Sequence, residues 1–407
     1  MPFKETCVMD ETLGFVRACL EGEETMAAVC RDFGISRQWG YELVRRYRAE
    51  GVVGLEPRSR AAYRPGRAMA DEIAQAIIAL RLEHPTWGPK KLRRVLERGA
   101  PGSAWPALSS MGDLLKREDL IGSRRRRRRP VPLSRPFAPV NAPNDLWCID
   151  FKGWFCTADG RRCDPLTLSD ADSRYLIVCR GVAPTTEGVD PLVDRALRDH
   201  GLPCRLRSDN GPPFAGNGAG GLSRLAVKWI KLGIGLERID PGAPEQNGRH
   251  ERMHGTLKAE TARPPARSLS AQQARFERFR QEYNEIRPHE GIGLATPASR
   301  YQPSPRPYPE RIEEPSYQAE HAVRRVRSNG EIRWAGDLIF ISETLVGEPV
   351  GIAESESGDW MVRFADHPLG LIDRRTRKLR PFAPARPGRR KGRAEQTRKS
   401  VNDVSGL

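Results

Sequence analysis

The chain has no long uncharged apolar run and no N-terminal hydrophobic segment followed by a small-residue cleavage site, so neither a membrane span nor a secretory leader is expected. The expected compartment is the cytoplasm, with nucleoid association if the source is bacterial. Its eight cysteines (Cys7, Cys19, Cys30, Cys148, Cys156, Cys163, Cys179 and Cys204) include no Cys-x-x-Cys pair and no His–Cys spacing of a structural zinc site. Reduced thiols without structural zinc are therefore expected. Acid is in short supply: 52 Asp and Glu stand against 68 Lys and Arg, a net charge of +16. Such an excess points to a polyanionic partner, because cations placed on phosphates release counterions and give sequence-independent affinity for nucleic acid. With 407 residues, 38% of them hydrophobic, the chain has material for two to four globular domains.

The N-terminal stretch reads as three helices, over residues 11–20, 25–33 and 36–47. In Met26-Ala-Ala-Val-Cys-Arg-Asp-Phe-Gly-Ile-Ser36 small apolar residues lead to a turn at Gly34 and a helix N-cap at Ser36, the pattern of a helix-turn-helix. Its second helix would enter a major groove, with Arg37, Gln38 and Tyr41 near base edges and Arg45, Arg46 and Arg48 on phosphates. A plain three-helix packing module with a solvated arginine face is the alternative. Gly, Pro and Arg without period make residues 51–67 a basic linker. Helices then follow over 71–83, 89–98 and 108–116, broken by Pro85-Thr-Trp-Gly88. Six consecutive arginines, Arg124 to Arg129, followed by Pro130-Val-Pro132 give a self-repelling extended linker that tracks a phosphate backbone.

Beyond it, strands are expected over 146–155, carrying Asp150, then 165–169, 175–182, 205–208 and 235–239. Helices are expected over 185–199, 222–232, 245–258 and 270–284. Three strands followed by alternating strand and helix is the order of a mixed α/β sheet. Asp209, in Arg207-Ser-Asp-Asn-Gly-Pro-Pro-Phe214, stands at a strand mouth before an Asn-Gly turn. Glu245, in Pro241-Gly-Ala-Pro-Glu-Gln-Asn-Gly-Arg-His-Glu-Arg-Met253, stands at a helix start. An ionised Asp150 inside an apolar run is costly unless a cation or hydrogen bonds compensate it. Three such acids suit phosphodiester chemistry, in which two metals roughly 3.5–4 Å apart stabilise the attacking and leaving oxygens.

These acids and their flanking strings resemble the catalytic core of integrase-type (DDE, retroviral-integrase-like) insertion-sequence transposases, whose acids follow an Asp, Asp, 35-residue spacer, Glu arrangement. The resemblance covers roughly residues 136–301. It implies a ribonuclease H-like fold, catalytic and metal-binding roles for Asp150, Asp209 and Glu245, two Mg²⁺ or Mn²⁺ ions, double-stranded DNA as partner at element ends and target, and a homo-oligomer on DNA. His84-Pro-Thr-Trp-Gly-Pro-Lys-Lys-Leu92 is similar to the second helix-turn-helix of that family, and the Tyr283-Asn, Arg287-Pro-His and Thr296-Pro-Ala strings resemble the end of its core.

Asp170 and Asp172 read as hairpin residues. Glu251 lies about 240° round the helix from Glu245, in a supporting role or paired with Arg249 or Arg252. Candidate DNA contacts are Arg37, Gln38, Tyr41, Arg45, Arg46, Lys90, Lys91, Arg125, Arg127, Arg249, His254 and Lys258. After a proline-rich spacer, strands expected over 323–327, 332–334, 338–341, 349–353 and 360–364 give a small antiparallel β-barrel. The resulting domain reading is: helix-turn-helix domain 1–56, linker 57–70, second helix-turn-helix-like domain 71–122, basic linker 123–137, ribonuclease H-like core 138–302, proline-rich linker 303–318, β domain 319–382, and basic disordered tail 383–407. The function expected is a DNA transposase that binds terminal inverted repeats and performs metal-dependent strand cleavage and transfer, with DNA integration and recombination as the outcome. A catalytically silent, sequence-specific DNA-binding regulator of the same descent is the alternative.

Overall fold

A computed structural model describes residues 7–57, 69–121, 138–239, 248–356 and 358–382. The chain divides into two compact units, Met1–Ala70 and Asp71–Leu407. Among the described residues no helix is long and apolar enough to cross a membrane.

In the first unit, α1 (Val8–Glu21), α2 (Met26–Asp32) and α3 (Arg37–Glu50) pack around Phe15, Val16, Val29, Cys30, Leu43 and Val44. The turn between α2 and α3 runs through Gly34 at φ +66°, and the Ser36 hydroxyl caps α3 by accepting from the Trp39 N–H at 3.2 Å. Gly40 lets α3 approach closely: a Cβ there would lie 2.6 Å from Cys30 Sγ. The stretch after α3 differs from the expected linker. Gly51–Leu55 is a 3₁₀ turn, and burial of Leu55 in the same core explains why it folds.

The second unit opens with α4 (Asp71–Glu83), α5 (Pro89–Gly99) and α6 (Leu108–Arg117) around the fully buried Ile77, Trp87, Leu92, Met111 and Leu115. The central sheet is built from β1 (Leu146–Phe151), β4 (Pro165–Asp170), β5 (Leu176–Gly181), β6 (Arg205–Ser208) and β7 (Gly235–Arg238), in the order β5-β4-β1-β6-β7. β5, β4 and β1 are antiparallel, and β1, β6 and β7 are parallel. The strand expected over 146–155 is really two. β1 stops at Phe151, the chain turns through Gly153 at φ +84°, and β2 (Phe155–Cys156) pairs with β3 (Arg162–Cys163) in a separate hairpin.

Alternation along the strands sorts the two faces of the sheet. Trp147, Ile149, Leu166, Leu168 and Leu206 bury against α7 (Thr186–His200) and α8 (Arg224–Lys231) through Val189, Val193, Leu197, Leu225 and Trp229. The opposite face meets α9 (Gly248–Thr261) and α10 (Leu269–Gln281), which bury Met253, Leu257, Phe276 and Phe279 with Leu176 and Cys179.

The proline-rich stretch is no free spacer. Leu202 N–H donates to Arg306 O at 2.7 Å, Ser304 N–H to His200 O at 2.8 Å, and the Tyr308 hydroxyl to Asp194 at 2.6 Å, strapping it to the core.

β8 (Ala322–Arg325), β9 (Glu331–Trp334), β10 (Asp337–Phe340), β11 (Pro349–Glu354) and β12 (Trp360–Phe364) match expected strands. β13 (His367–Ile372) and β14 (Leu379–Pro381) are additional. They form an antiparallel sheet, β14-β13-β12-β11-β8, and a β10-β9 pair. This sheet shares one apolar cluster with Ala219, Leu222, Ala226 and Val227 of the core.

Candidate active site

Asp150 and Asp209 are brought together by strand register. β1 and β6 pair Leu146 with Arg205, Trp147 with Leu206 and Cys148 with Arg207. Continuing that offset two residues sets Asp150 level with Asp209 on neighbouring parallel strands, which lie about 4.8 Å apart. Residues 147 and 149 on β1, and 206 on β6, face α7 and α8, so both acids lie on the face toward α9. The Asp209 loop is fixed by its own sequence: Gly211 N–H donates to Asp209 Oδ1 at 3.2 Å, Asn210 Nδ2 donates to Ile239 O at 2.5 Å, and Phe214 is buried near Trp229.

Burial, then the negative charge of Asp209, and more weakly that of Glu251, raise the Asp150 carboxyl to about 7, against the Phe151 backbone N–H and Lys152, which lower it. Asp209 is also raised, by burial, with the Gly211 N–H opposing. This is the mark of anions held close in a poorly solvated place. Glu251 is exposed in the first turn of α9. Arg252 Nε turns to Gly248 O at 3.5 Å. Glu245 lies outside the described residues.

Beside Asp150, two histidines face the sheet from successive turns of α9. His250 and His254 are 3% and 5% exposed. Thr167, opposite Asp150 in the β1–β4 ladder, donates its hydroxyl proton to Asp150 O at 3.1 Å and meets Nε2 of both histidines at 2.7 Å. With that proton committed, both rings are assigned as Nε2–H donors. Ser169 Oγ then serves His250 Nδ1 at 3.2 Å, while His254 Nδ1 faces Asp150 Oδ2 at 3.8 Å. Burial lowers His250 to about 3, and burial with His250 and Lys152 lowers His254 to about 2, so both are neutral.

Asp150, His250 and His254 form a group able to hold a metal, with ligand atoms within 4.8 Å of one another. Both ring nitrogens of His250 already have partners, so its ring better orients α9 on the sheet, and the hard oxygens of Asp150 and Asp209 suit a divalent cation.

The DNA-contact candidates divide. In the first unit Arg37, Gln38 and Tyr41 are exposed on α3, and Arg45 is exposed and paired with Glu42. Arg46 turns inward: it is 7% exposed and donates to Glu56 O at 3.3 Å, at the end of the 3₁₀ turn. In the second unit Lys90 and Lys258 are exposed and Lys91 half-buried. His254 likewise turns inward, to Thr167. Arg125, Arg127 and the Arg249 side chain lie outside the described residues. Asp170 is the hairpin residue expected, accepting from Asn144 N and Ser173 N, each at 2.7 Å, and from Ser173 Oγ at 2.6 Å.

Residues 232–297 match the integrase core domain family, residues 39–115 a homeodomain-like domain and residues 13–63 a helix-turn-helix domain. The chain is 30% identical over 230 residues to the insertion element IS476 uncharacterized 39.2 kDa protein of Xanthomonas euvesicatoria, a match covering 54% of this chain and 57% of that protein. It is 29% identical over 232 residues to the insertion element IS407 uncharacterized 31.7 kDa protein of Burkholderia multivorans, covering 56% and 79%. The HTLV-2 integrase catalytic core domain in complex with magnesium is 16% identical, the match covering 39% of this chain and 97% of that one at a TM-score of 0.31. The chain thus joins helix-turn-helix domains to an integrase core domain and has insertion-element proteins as relatives, consistent with the insertion-sequence transposases its motifs resemble.

Proposed function

We propose that the chain is a DNA transposase that binds the terminal inverted repeats of its element and cuts and joins DNA strands there. One observation carries this reading: two desolvated aspartates level on adjacent parallel strands, with the charge of Glu251 reaching Asp150. We assign the third acid to Glu251. Residues 210–250 make a 41-residue spacer, six more than the family pattern, and the loop 216–221, pinched by the Ala215–Leu222 bridge, is six residues long.

Asp150, Asp209 and Glu251 would hold the divalent ions, Mg²⁺ or Mn²⁺. The burial and the Asp209 charge that raise Asp150 are what bound cations offset. When bound, such ions supply Lewis acidity to the phosphodiester and stabilise both the attacking and the leaving oxygen. Water adds to phosphorus as the bond to the 3′ oxygen breaks, leaving a 3′ hydroxyl and a 5′ phosphate; that hydroxyl would then attack a target phosphorus as the bond to the target's own 3′ oxygen breaks, which leaves as a new 3′ hydroxyl and takes up the proton. Thr167, His250 and His254 keep α9 seated so that Glu251 faces the aspartates. The N-terminal helices read the repeats, and the enzyme acts as a homo-oligomer on paired ends. Closure of the C-terminal sheet into a barrel belongs to the same reading.

The test is incubation of the protein with end-containing DNA and Mg²⁺. Asp209→Asn and Glu251→Gln should abolish cutting and joining, and Glu245→Gln should retain both. Parental activity in Asp209→Asn refutes the active site. Loss in Glu245→Gln with retention in Glu251→Gln returns the third role to Glu245.

A further inference from the structure

Two sequence strings are left unused by the catalytic reading, His84-Pro-Thr-Trp-Gly-Pro-Lys-Lys-Leu92 and Tyr283-Asn-Glu-Ile-Arg-Pro-His289. In the structure they meet. His84 stacks on Trp87 with ring centroids 3.7 Å apart, and its Nδ1 lies 3.0 Å from Glu282. The Arg287 guanidinium sits 5.7 Å over the Trp87 ring and pairs with Glu260 at 2.6 Å, while the Thr86 hydroxyl reaches the same Glu260. These contacts dock the start of α5 against α9 and the π turn Glu282–Ile286.

The docking leaves a concave site of about 520 Å³, whose lining includes Lys91, Arg174, Arg252, Thr256, Arg287 and Glu290. Its size falls in the range of ligand pockets and admits a phosphodiester with its sugar. Four cations line it against the carboxylate of Glu290, and counting Glu260 behind Arg287 still leaves positive charge in excess. His289 adds none, because burial lowers it to about 3. Burial and the Arg287 charge lower the Lys91 ammonium to about 8, a cation held among cations that an anion would relieve. The cations come from α5, the β4–β5 turn, α9 and the segment after the π turn, so they surround a ligand rather than line one edge.

We propose that this pocket binds a backbone phosphate of a DNA strand, so that the second helical module and the core grip the same strand. The proposal rests on the DNA-acting reading above. It deepens that reading because Arg252 and Thr256 lie on the helix that bears Glu251: a phosphate seated between them and Lys91 holds the strand alongside the acids. DNA is the polyanion assigned because the chain carries helix-turn-helix domains.

The experiment uses the full-length protein and a fluorescein-labelled DNA duplex of arbitrary sequence, with affinity read by anisotropy over a series of KCl concentrations. Arg252→Gln and Lys91→Met should each weaken binding roughly tenfold at low salt and reduce the slope of log affinity against log salt by about 0.9, the value for one lost phosphate contact. Thr256→Glu, which places an anion at the pocket, should weaken binding further. Arg195→Gln removes an exposed charge of α7 that does not line the pocket, and should leave the slope unchanged. Calorimetry near pH 8 in two buffers of different ionisation enthalpy should show proton uptake on binding that Lys91→Met abolishes. Parental affinity and slope in Arg252→Gln, Lys91→Met and Thr256→Glu, with the parent binding DNA, overturn the pocket alone. A parent that fails to bind DNA overturns the DNA-acting reading, and the pocket with it.

Discussion

Replacing Asp150 by Asn removes one ionisable group and keeps its shape, and the structure gives the consequence a sign and a size. Asp150 rises from an ordinary 3.8 to about 7 in the folded chain, so the folded state holds its proton more tightly than the unfolded state. For such a group stability is greatest below the unfolded value, declines as pH rises between the two values, and is flat above the folded one. A shift of roughly three units at 1.36 kcal/mol each makes the loss about 4 kcal/mol. Asp209 is raised as well and adds loss of the same sign.

In EDTA, Asp150→Asn should therefore gain on the parent steadily from about pH 4 to 7 and hold a constant advantage above it. Mg²⁺ should reverse the order at high pH, because the parent retains the carboxylate that the ion prefers. Urea unfolding at a series of pH values, with EDTA and with Mg²⁺, measures this by the midpoint. A stability difference between variant and parent that is flat over that pH window would refute the claim that Asp150 is a desolvated anion beside other anions.

Thr167→Val should leave the Nε2–H groups of His250 and His254 without their acceptor, costing about 1–3 kcal/mol for each buried donor; thermal melting measures the loss, and Thr167→Ser should recover most of it. Arg46→Ala should destabilise the first unit by about 1.5–3 kcal/mol, as for a lost charged hydrogen bond, while leaving the salt dependence of DNA binding unchanged; an altered slope would restore Arg46 as a phosphate contact. Gly220 holds φ +67°, with a Cβ position 3.0 Å from His367 Nε2 and Leu369 Cδ2. Gly220→Ala should cost about 1–2 kcal/mol from the left-handed backbone alone, seen as faster proteolysis between β13 and β14, and parental resistance would show that this loop does not brace the C-terminal sheet.

Much of the fold was legible because its elements announce themselves locally. Arg205–Ser208, Asp71–Glu83 and the α2–α3 turn at Gly34 fall where apolar period and capping residues put them. What was missed depends on contacts distant in sequence. β13 contains Pro368 and Gly370 and reads as a breaker, yet Gly370 is needed because a Cβ there would lie 2.3 Å from Arg380 O of β14. Arg46 looks like one more surface cation until Glu56 O, ten residues on, folds back to it. The buried histidines of α9 were not legible, and His254 reads as a DNA contact, because helical spacing alone says nothing about which face meets the sheet. Their partner, Thr167, stands more than eighty residues earlier.

The proposed third acid, Glu251 in place of the Glu245 that the spacing alone picks out, rests on how the chain between Asp209 and α9 is laid out. Counting 35 residues from Asp209 gives Glu245 only if the connection contains nothing but the elements common to such cores. Here the chain makes a detour between β6 and α8: Ala215 bridges Leu222, and the six residues between them turn away to lay Ala219 in the apolar cluster of the C-terminal sheet and to offer Gly220 O to His367 Nε2 at 3.2 Å. Those residues serve the docking of another sheet and add six to the count. Discounting them moves the count to Glu251. That residue is one step along α9 from His250, whose ring is locked to β4, and three from His254, whose ring faces Asp150. Sequence spacing is a proxy for spatial convergence, and an insertion anchored elsewhere changes the proxy, which is why Glu245→Gln and Glu251→Gln are the pair of variants that decides the third acid.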